Sequence, residues 1–400
     1  MRRFIMFLYV TILATVIAIY VIVRAIFPLS THWGNKLALS LITATAAYKF
    51  HLFYLLEGRN FFTPNLPAEL VWSGCWLFCA VFAFALLLLA ADTLRLPLYL
   101  LLRLTGHKPR RRRWRRHNNR INLALLTLAL GVTAWGTWCG IKAPVVHTIN
   151  LPIANMPTDA APIRLVQLTD LHADSTKGAD FYQDIVRRTN ELQPDIVVIT
   201  GDFADGSVQD CGAALTPLRE LDAPMGVYAV TGNHDYFWGT AGWLGYLKAL
   251  GVEFIDGRSE NVSVALEGGV RKELCLIGLH DPMVRRTGTK APTISEIAAP
   301  RGENGRTYPV VLLAHQPRVA DTAAGYDIDL QLSGHTHGGQ FPGLQQLVAR
   351  FNNGYVNGLY QVGRMQLYVS PGTSLWTPIC LRLGVPSEIT VINLCPADRK

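Results

Sequence analysis

The residues able to do chemistry fall in five short segments. They are Asp170 and His172, Gly201-Asp202, Gly232-Asn233-His234-Asp235, His315, and Gly334-His335-Thr-His337-Gly338. The set holds carboxylates, imidazoles and one amide oxygen, with no thiolate. That mixture suits Mn, Zn or Fe, has too much imidazole for calcium, and lacks the sulfur of a structural zinc site. Two such ions about 4 Å apart would acidify a bridging water and neutralise phosphoryl oxygens, so that hydroxide attacks phosphorus in line with the leaving oxygen. Asp202 is placed to bridge the two ions. His234 is the candidate general acid, and Asp235 its orienting partner. The alternative for His234 is a purely supporting contact to the ligands.

Alone, each segment is weak evidence. Asp-x-His is often a helix cap beside a satisfied histidine, and Gly-Asp is usually a turn. Their placement is the stronger signal. Each follows an apolar run that reads as a strand: Arg164–Thr169, Asp195–Thr200, Val227–Thr231, Val310–Ala314 and Asp329–Ser333. Helical spacing separates several of them, over Asp180–Leu192, Cys211–Leu221 and Thr240–Leu250. Strand alternating with helix implies an α/β domain, and the carboxyl ends of its strands share a crevice. Leu274–Leu279, Met365–Ser370 and Ile389–Leu394 read as further strands, and Pro282–Tyr308 as a long loop.

In this order the motifs resemble the full set of the calcineurin-like metallophosphoesterases. Thr169-Asp-Leu-His172, Leu330-Gln-Leu-Ser-Gly-His-Thr-His-Gly-Gly-Gln340 and Tyr355-Val-Asn-Gly-Leu-Tyr360 are similar to the membrane-attached bacterial subgroup that includes UDP-2,3-diacylglucosamine pyrophosphatase-like enzymes. The resemblance covers about residues 163–394. It implies a four-layer α-β-β-α sandwich. It also implies that Asp170, His172, Asp202 and His337 hold one ion, and Asp202, Asn233, His335 and His315 the other. The chain departs from the subgroup at His280-Asp281, where relatives tend to carry paired acids, and at Gly372–Trp376, which is poorer in glycine.

The rest of the chain is of another kind. Up to His147 there are 17 Lys/Arg against 3 Asp/Glu, and after it 20 against 26. The basic balance therefore belongs to the first part alone, and the mildly acidic second part does not suit a polyphosphate backbone. Four apolar stretches, from about Phe4 to Ile22, Leu37 to Leu56, Leu70 to Ala91 and Ile121 to Ile141, approach the roughly 20 residues that span a bilayer. Lys49 within the second can snorkel or face the bundle. Asp92–Leu104 reads as an interfacial continuation. Arg103–Arg120 carries nine Lys/Arg and no acid, as expected of a cytoplasmic loop touching anionic headgroups.

The sequence thus predicts an all-α membrane region of about four helices over 1–147, with a basic loop at 103–120. A linker at 148–162 and a catalytic domain at 163–395 follow. With the basic loop inside, the catalytic domain lies outside the cytoplasm; four spans then place Met1, Arg2 and Arg3 outside too, against the same charge rule. Among the cysteines, Cys380 with Cys395 is a conceivable bridge in an exported domain. Expected partners are the lipid bilayer and a phosphorylated small-molecule or lipid-linked substrate, with no nucleic acid. The leading expectation is a membrane-anchored dimetal phosphoesterase. A cytoplasm-facing lipid pyrophosphatase and a non-catalytic scaffold or sensor are the alternatives.

Overall fold

The structure, a computed structural model, describes residues 2–57, 62–107, 110–265, 271–298 and 306–397. Lys108 of the basic segment and residues 299–305 of the expected long loop lie outside them. The chain divides into two compact units. One comprises Met1–Trp138 with Thr377–Leu381, the other Cys139–Trp376 with Arg382–Lys400.

The first unit is helical. Helix α1 (Arg2–Val21) runs on into a π-helical turn, Ile22–Ile26; α2 (Trp33–Ala47) and α3 (Lys49–Glu57) follow, then α4 (Ala68–Leu104) and α5 (Arg111–Ile141). Among the described residues, three helices are long and apolar enough to cross a membrane, and the α2–α3 pair, bent by 71°, makes a fourth candidate. Four details differ from expectation. The second apolar stretch is not one helix. It breaks at Tyr48, and beyond the break buried Lys49 donates to the Pro378 carbonyl (2.8 Å) and to Cys75 Sγ (3.0 Å), with its ammonium 4.3 Å from the Phe50 ring centre. Helix α4 does not stop at Ala91, because the Asp92 carboxylate is paired and leaves the helix intact through Leu104. Arg111–Arg120 is helix rather than loop, in keeping with the helix preference of arginine. Cys380 lies 4.0 Å from Cys79 by sulfur, and the conceivable bridge is not formed: Cys380 and Cys395 are both free thiols.

The second unit is built on two six-stranded sheets. The first contains β1 (Val145–Ile153), β2 (Ile163–Leu168), β3 (Ile196–Ile199), β4 (Val227–Ala229), β5 (Glu253–Phe254) and β12 (Glu388–Pro396), in the order β1-β12-β2-β3-β4-β5. The second contains β6 (Ser259–Ala265), β7 (Arg271–Gly278), β8 (Val310–Leu313), β9 (Leu330–Ser333), β10 (Gly358–Val362) and β11 (Met365–Val369), in the order β10-β11-β9-β8-β7-β6. Helices α6 (Ala179–Glu191), α7 (Val208–Leu215) and α8 (Thr240–Ala249) belong with the first sheet. Short α9 (Ile294–Ile297) and α10 (Ala320–Ala323) belong with the second, and α11 (Leu344–Phe351) follows β9.

Period-two alternation distributes each central strand between two cores. In β3, Val197 and Ile199 face a core with Tyr182, Leu215 and Trp243 of the helices, while Ile196 and Val198 face a core shared with Leu276, Val311 and Leu332 of the other sheet. In β8, Val311 points into that shared core and Leu312 into a third with Ala320, Ala323 and Ile294. Helix, sheet, sheet, helix is the resulting order of layers. Residues 148–153 of the expected linker lie in β1, which pairs in parallel with β12 over nine positions, because Leu151 and Ile153 bury in the shared core. The expected loop after Pro282 contains a 3-10 turn, Pro282–Thr287, and α9, which Thr293 and Glu296 close with a capping box.

Leu276 is fully buried between the sheets. Leu276→Ala should cost about 2–5 kcal/mol and lower the thermal midpoint of the detergent-solubilised protein. Leu347→Ala, at a side chain 53% exposed, should change it by less than about 0.5 kcal/mol. Equal shifts for the two variants would contradict the assigned core.

Candidate metal centre

Strands β2, β3 and β4 are parallel neighbours in one sheet, and β8 and β9 in the other. The loops leaving their carboxyl ends carry Asp170 and His172, Asp202, Asn233 and His234, His315, and His335 and His337. These groups meet. The Nε2 atoms of His172 and His337 are 3.1 Å apart and lie 3.8 Å and 3.4 Å from Asp170 Oδ1. Asp202 Oδ2 is 3.1 Å from His315 Nε2 and 3.7 Å from His172 Nε2, between the two clusters. Asn233 Oδ1 is 3.2 Å from His315 Nε2, and the His335 ring centre is 5.1 Å from that of His315. Asp170, His172 and His337 offer ligand atoms within 4.8 Å of one another, as do Asp170, Asp202 and His315. Ring nitrogens facing each other at 3.1 Å beside a buried carboxylate are donors converging on a common centre. This donor set fits divalent cations of the Mn, Fe or Zn type.

The backbone carries a matching signature. Among the described residues, eight non-glycine residues have positive φ, and five of them are Asp170 (54°), His172 (44°), Asp202 (57°), His335 (72°) and His337 (48°). Such conformations cost about 1–3 kcal/mol each and persist where surrounding structure fixes them. Here hydrogen bonds fix them: Asp170 N to Gly201 O (3.0 Å), His172 N to Asp202 O (3.0 Å), and His335 N to Asp170 Oδ2 (3.1 Å). Two glycines make the approach possible. A Cβ at Gly232 would stand 2.2 Å from Asp202 Oδ1, and one at Gly334 2.2 Å from Asp170 Oδ2.

The pairing around His234 differs from expectation. Its Nδ1 lies 2.5 Å from Asp205 Oδ1, and the other Asp205 oxygen is 3.0 Å from His172 Nδ1. Asp235 instead accepts the backbone N–H groups of Gly232 (2.7 Å), Phe203 (2.9 Å) and Asp202 (3.0 Å). Asp235 is the middle residue of the 3-10 turn His234–Tyr236, and its carboxylate reaches back to the loop after β3. It therefore holds the two loops together rather than the imidazole. The missed residue, Asp205, stands three positions beyond Asp202, one turn-length further along the same loop. That spacing was its only sequence signal.

The electrostatics follow from burial of these charges together. Burial works against the charged form of His315, but the Asp202 carboxylate and its hydrogen bond outweigh it, and the pKa is pushed up to about 10. His335 goes the other way, to about 4, through burial and the neighbouring His315 charge. Burial and the Asp202 charge push the Asp235 carboxyl up to about 7, against the pull of its N–H donors.

A profile of the family described as calcineurin-like phosphoesterase matches residues 163–339. An "Uncharacterized metallophosphoesterase" of Helicobacter pylori is 31% identical over 70% of this chain and 72% of its own length. The chain belongs to the calcineurin-like phosphoesterase family. A "Transmembrane protein with metallophosphoesterase domain" of Danio rerio is 35% identical over 68% of this chain and 62% of its own. The "Uncharacterized metallophosphoesterase YkuE" of Bacillus subtilis is 31% identical over 62% and 84%. The chain thus spans about six tenths of the length of the first curated relatives it matches.

Around the family motifs, one further loop is fixed by a residue that sequence reasoning did not single out. Arg382 is fully buried and donates to the carbonyls of Ser374 (2.7 Å) and Pro371 (2.8 Å). This holds Gly372, at φ 93°, where a Cβ would stand 3.2 Å from Asp170 Cβ. The departure at Gly372–Trp376 is thus anchored by a guanidinium whose partners here are main-chain carbonyls. His280 contacts Tyr236 OH (3.3 Å) and Asp256 (3.6 Å), whereas Arg285 and Arg286 are exposed.

Gly232→Ala must displace Asp202 from between the two clusters. Bound manganese, counted by plasma mass spectrometry after dialysis, should fall well below that of the wild-type chain. An undiminished metal content would mean that the loop yields without moving Asp202.

Proposed function

We propose that this chain is a membrane-anchored, metal-dependent phosphoesterase that hydrolyses phosphate ester or pyrophosphate bonds, with Asp170, His172, Asp202 and His337 holding one divalent ion and Asp202, Asn233, His315 and His335 a second. The observation that carries this reading is the convergence of five strand-end loops on buried carboxylates and imidazoles, with the backbone of five of those residues at positive φ. Two such ions, when bound, supply Lewis acidity that acidifies water and screens phosphoryl charge.

The chain's own residues do the rest. Asp205 takes the Nδ1 side of His234, which fixes the tautomer and leaves Nε2 as the proton donor to the leaving oxygen. Burial opposes the imidazolium of His234, yet the carboxylates of Asp205 and Asp202 raise its pKa and so favour the protonated ring. The same Asp205 orients His172, so one carboxylate couples acid and ligand.

We read the substrate as lipid-linked. A catalytic unit joined to membrane spans meets phosphates in the bilayer at high effective concentration. Helix α11, which follows the His335–His337 loop and contacts it through Gln345 and Gly338 (3.2 Å), exposes Leu347 and Phe351. Phe237, also exposed, is 5.7 Å from the His234 ring. These features support an amphiphilic, lipid-linked phosphate as substrate, and the basic segment supports a catalytic unit outside the cytoplasm. A cytoplasmic orientation would favour the lipid pyrophosphatase reading most directly. A scaffold role is disfavoured by the complete set of ligand residues.

Asn233→Ala and His335→Ala should each lower manganese-dependent hydrolysis of bis(p-nitrophenyl) phosphate at least about 100-fold without loss of helix signal; wild-type turnover in either removes the site. His234→Ala should slow esters with poor leaving groups by about 10²–10⁴ and good ones far less, whereas equal losses would argue against its acid role. A reporter fused after Lys142 settles the orientation.

A further inference from the structure

The first unit holds a charged cluster that phosphoester hydrolysis does not use. Arg24 forks onto Asp92 with two 2.7 Å bonds, and Tyr20 OH joins at 2.9 Å. Arg95 Nη1 donates to Asp92 (3.3 Å) and to Asn122 Oδ1 (2.8 Å). The arrangement starts from Pro28. Proline has no N–H, so it cannot take the Arg24 carbonyl four residues back, and the helix passes through the π-helical turn Ile22–Ile26. Asn122 Nδ2 takes that carbonyl instead (3.1 Å). Along the same face of α5, Asn119 takes Pro28 O (3.1 Å) and Arg115 takes Ser30 Oγ (2.8 Å), while Lys36 donates to Phe27 O (2.9 Å).

The charges here do not balance. Arg24 and Arg95 share the single carboxylate of Asp92, and Arg115 and Lys36 bond to uncharged oxygens of the segment after the π-helical turn. The next acid along the chain is Asp159, and Glu69 lies 23 residues back along α4, about 35 Å at 1.5 Å per residue. That length also exceeds the roughly 30 Å hydrocarbon core, so if α4 enters the bilayer near its start the cluster stands at headgroup depth. Within this cluster, two buried polar atoms have no hydrogen-bond partner among the described residues, the donor Arg95 Nη2 and the acceptor Asn119 Oδ1. Arg24 is the accessible member, its side chain 44% exposed. Exposed Leu94, Leu98 and Leu123 flank the cluster in sequence with acyl-compatible surface.

We infer that this cluster is a binding site for one anionic phospholipid, its phosphodiester taken by the exposed Arg24, with buried Arg95 supplying the positive charge that Asp92 leaves unmatched. The occupant is a lipid rather than a soluble anion because the cluster is bordered by apolar helix surface, and phosphatidylglycerol carries the matching charge. This site is independent of the proposed metal centre.

The test is native mass spectrometry of the full chain exchanged into equimolar phosphatidylglycerol and phosphatidylcholine. The wild-type chain should retain one phosphatidylglycerol at least about tenfold over phosphatidylcholine. Arg24→Gln and Arg95→Gln should each abolish that preference, while Arg112→Gln with Arg113→Gln, at exposed positions of the same basic helix, should keep it. Manganese-dependent hydrolysis in detergent should be unchanged in all of them. No preference in the wild-type chain overturns the proposal even if a variant fails to fold. Equal loss on removing Arg112 and Arg113 overturns it in favour of diffuse attraction, and displacement of the lipid by millimolar inorganic phosphate overturns it in favour of a soluble anion.

Discussion

Two carboxylates, Asp170 and Asp202, lie almost wholly out of water and within a few ångströms of the same imidazoles. Like charges so placed repel strongly, and each would favour its neutral form if left alone. The structure offsets this with His172, His315 and His337 and with N–H groups aimed at the carboxylates, including His335 N at Asp170 and His234 N at Asp202 (2.8 Å). Most other features of the second unit serve this constraint. Parallel strands bring the loops to one edge, the glycines let backbone approach side-chain oxygen, and the positive-φ residues turn the ligands inward. The strain is concentrated where opposite charge can repay it.

Much of this was legible in the sequence because ligand type and strand end coincide. A run such as Ile196–Ile199 announces a strand buried on both faces, and the carboxylate that follows it at Asp202 has one crevice to enter. The order of residues could not disclose which acid faces which imidazole. Asp235 adjoins His234 in the chain, yet a turn directs it elsewhere, while Asp205 reaches the ring from another loop. Adjacency in sequence is a poor guide in loops because one tight turn reverses a side chain's direction. Arg382 was invisible for a similar reason: its partners are carbonyls, which every residue supplies.

In the helical unit, hydropathy located the apolar stretches but not their breaks. Whether a polar residue ends a helix depends on its partners. Asp92 is satisfied by Arg24 and Tyr20, so α4 continues past it for twelve residues. At Tyr48 the helix does break, and the amine of Lys49 turns to main-chain carbonyl and sulfur within a set of aromatic rings. Buried polar atoms in apolar surroundings are costly unless bonded, and this cost is what fixes the bend.

The pairing of β1 with β12 has a consequence for how the protein is made. Strand β12 lies between β1 and β2, yet it is synthesised long after both. Until then β1, synthesised just after the final apolar helix, has an unfilled gap beside it. The first sheet can be completed only once β12 has been made, by its insertion between two strands synthesised much earlier. Late insertion of β12 is therefore built into the architecture, and a nascent chain halted short of β12 would leave both neighbouring strands with open hydrogen-bonding edges.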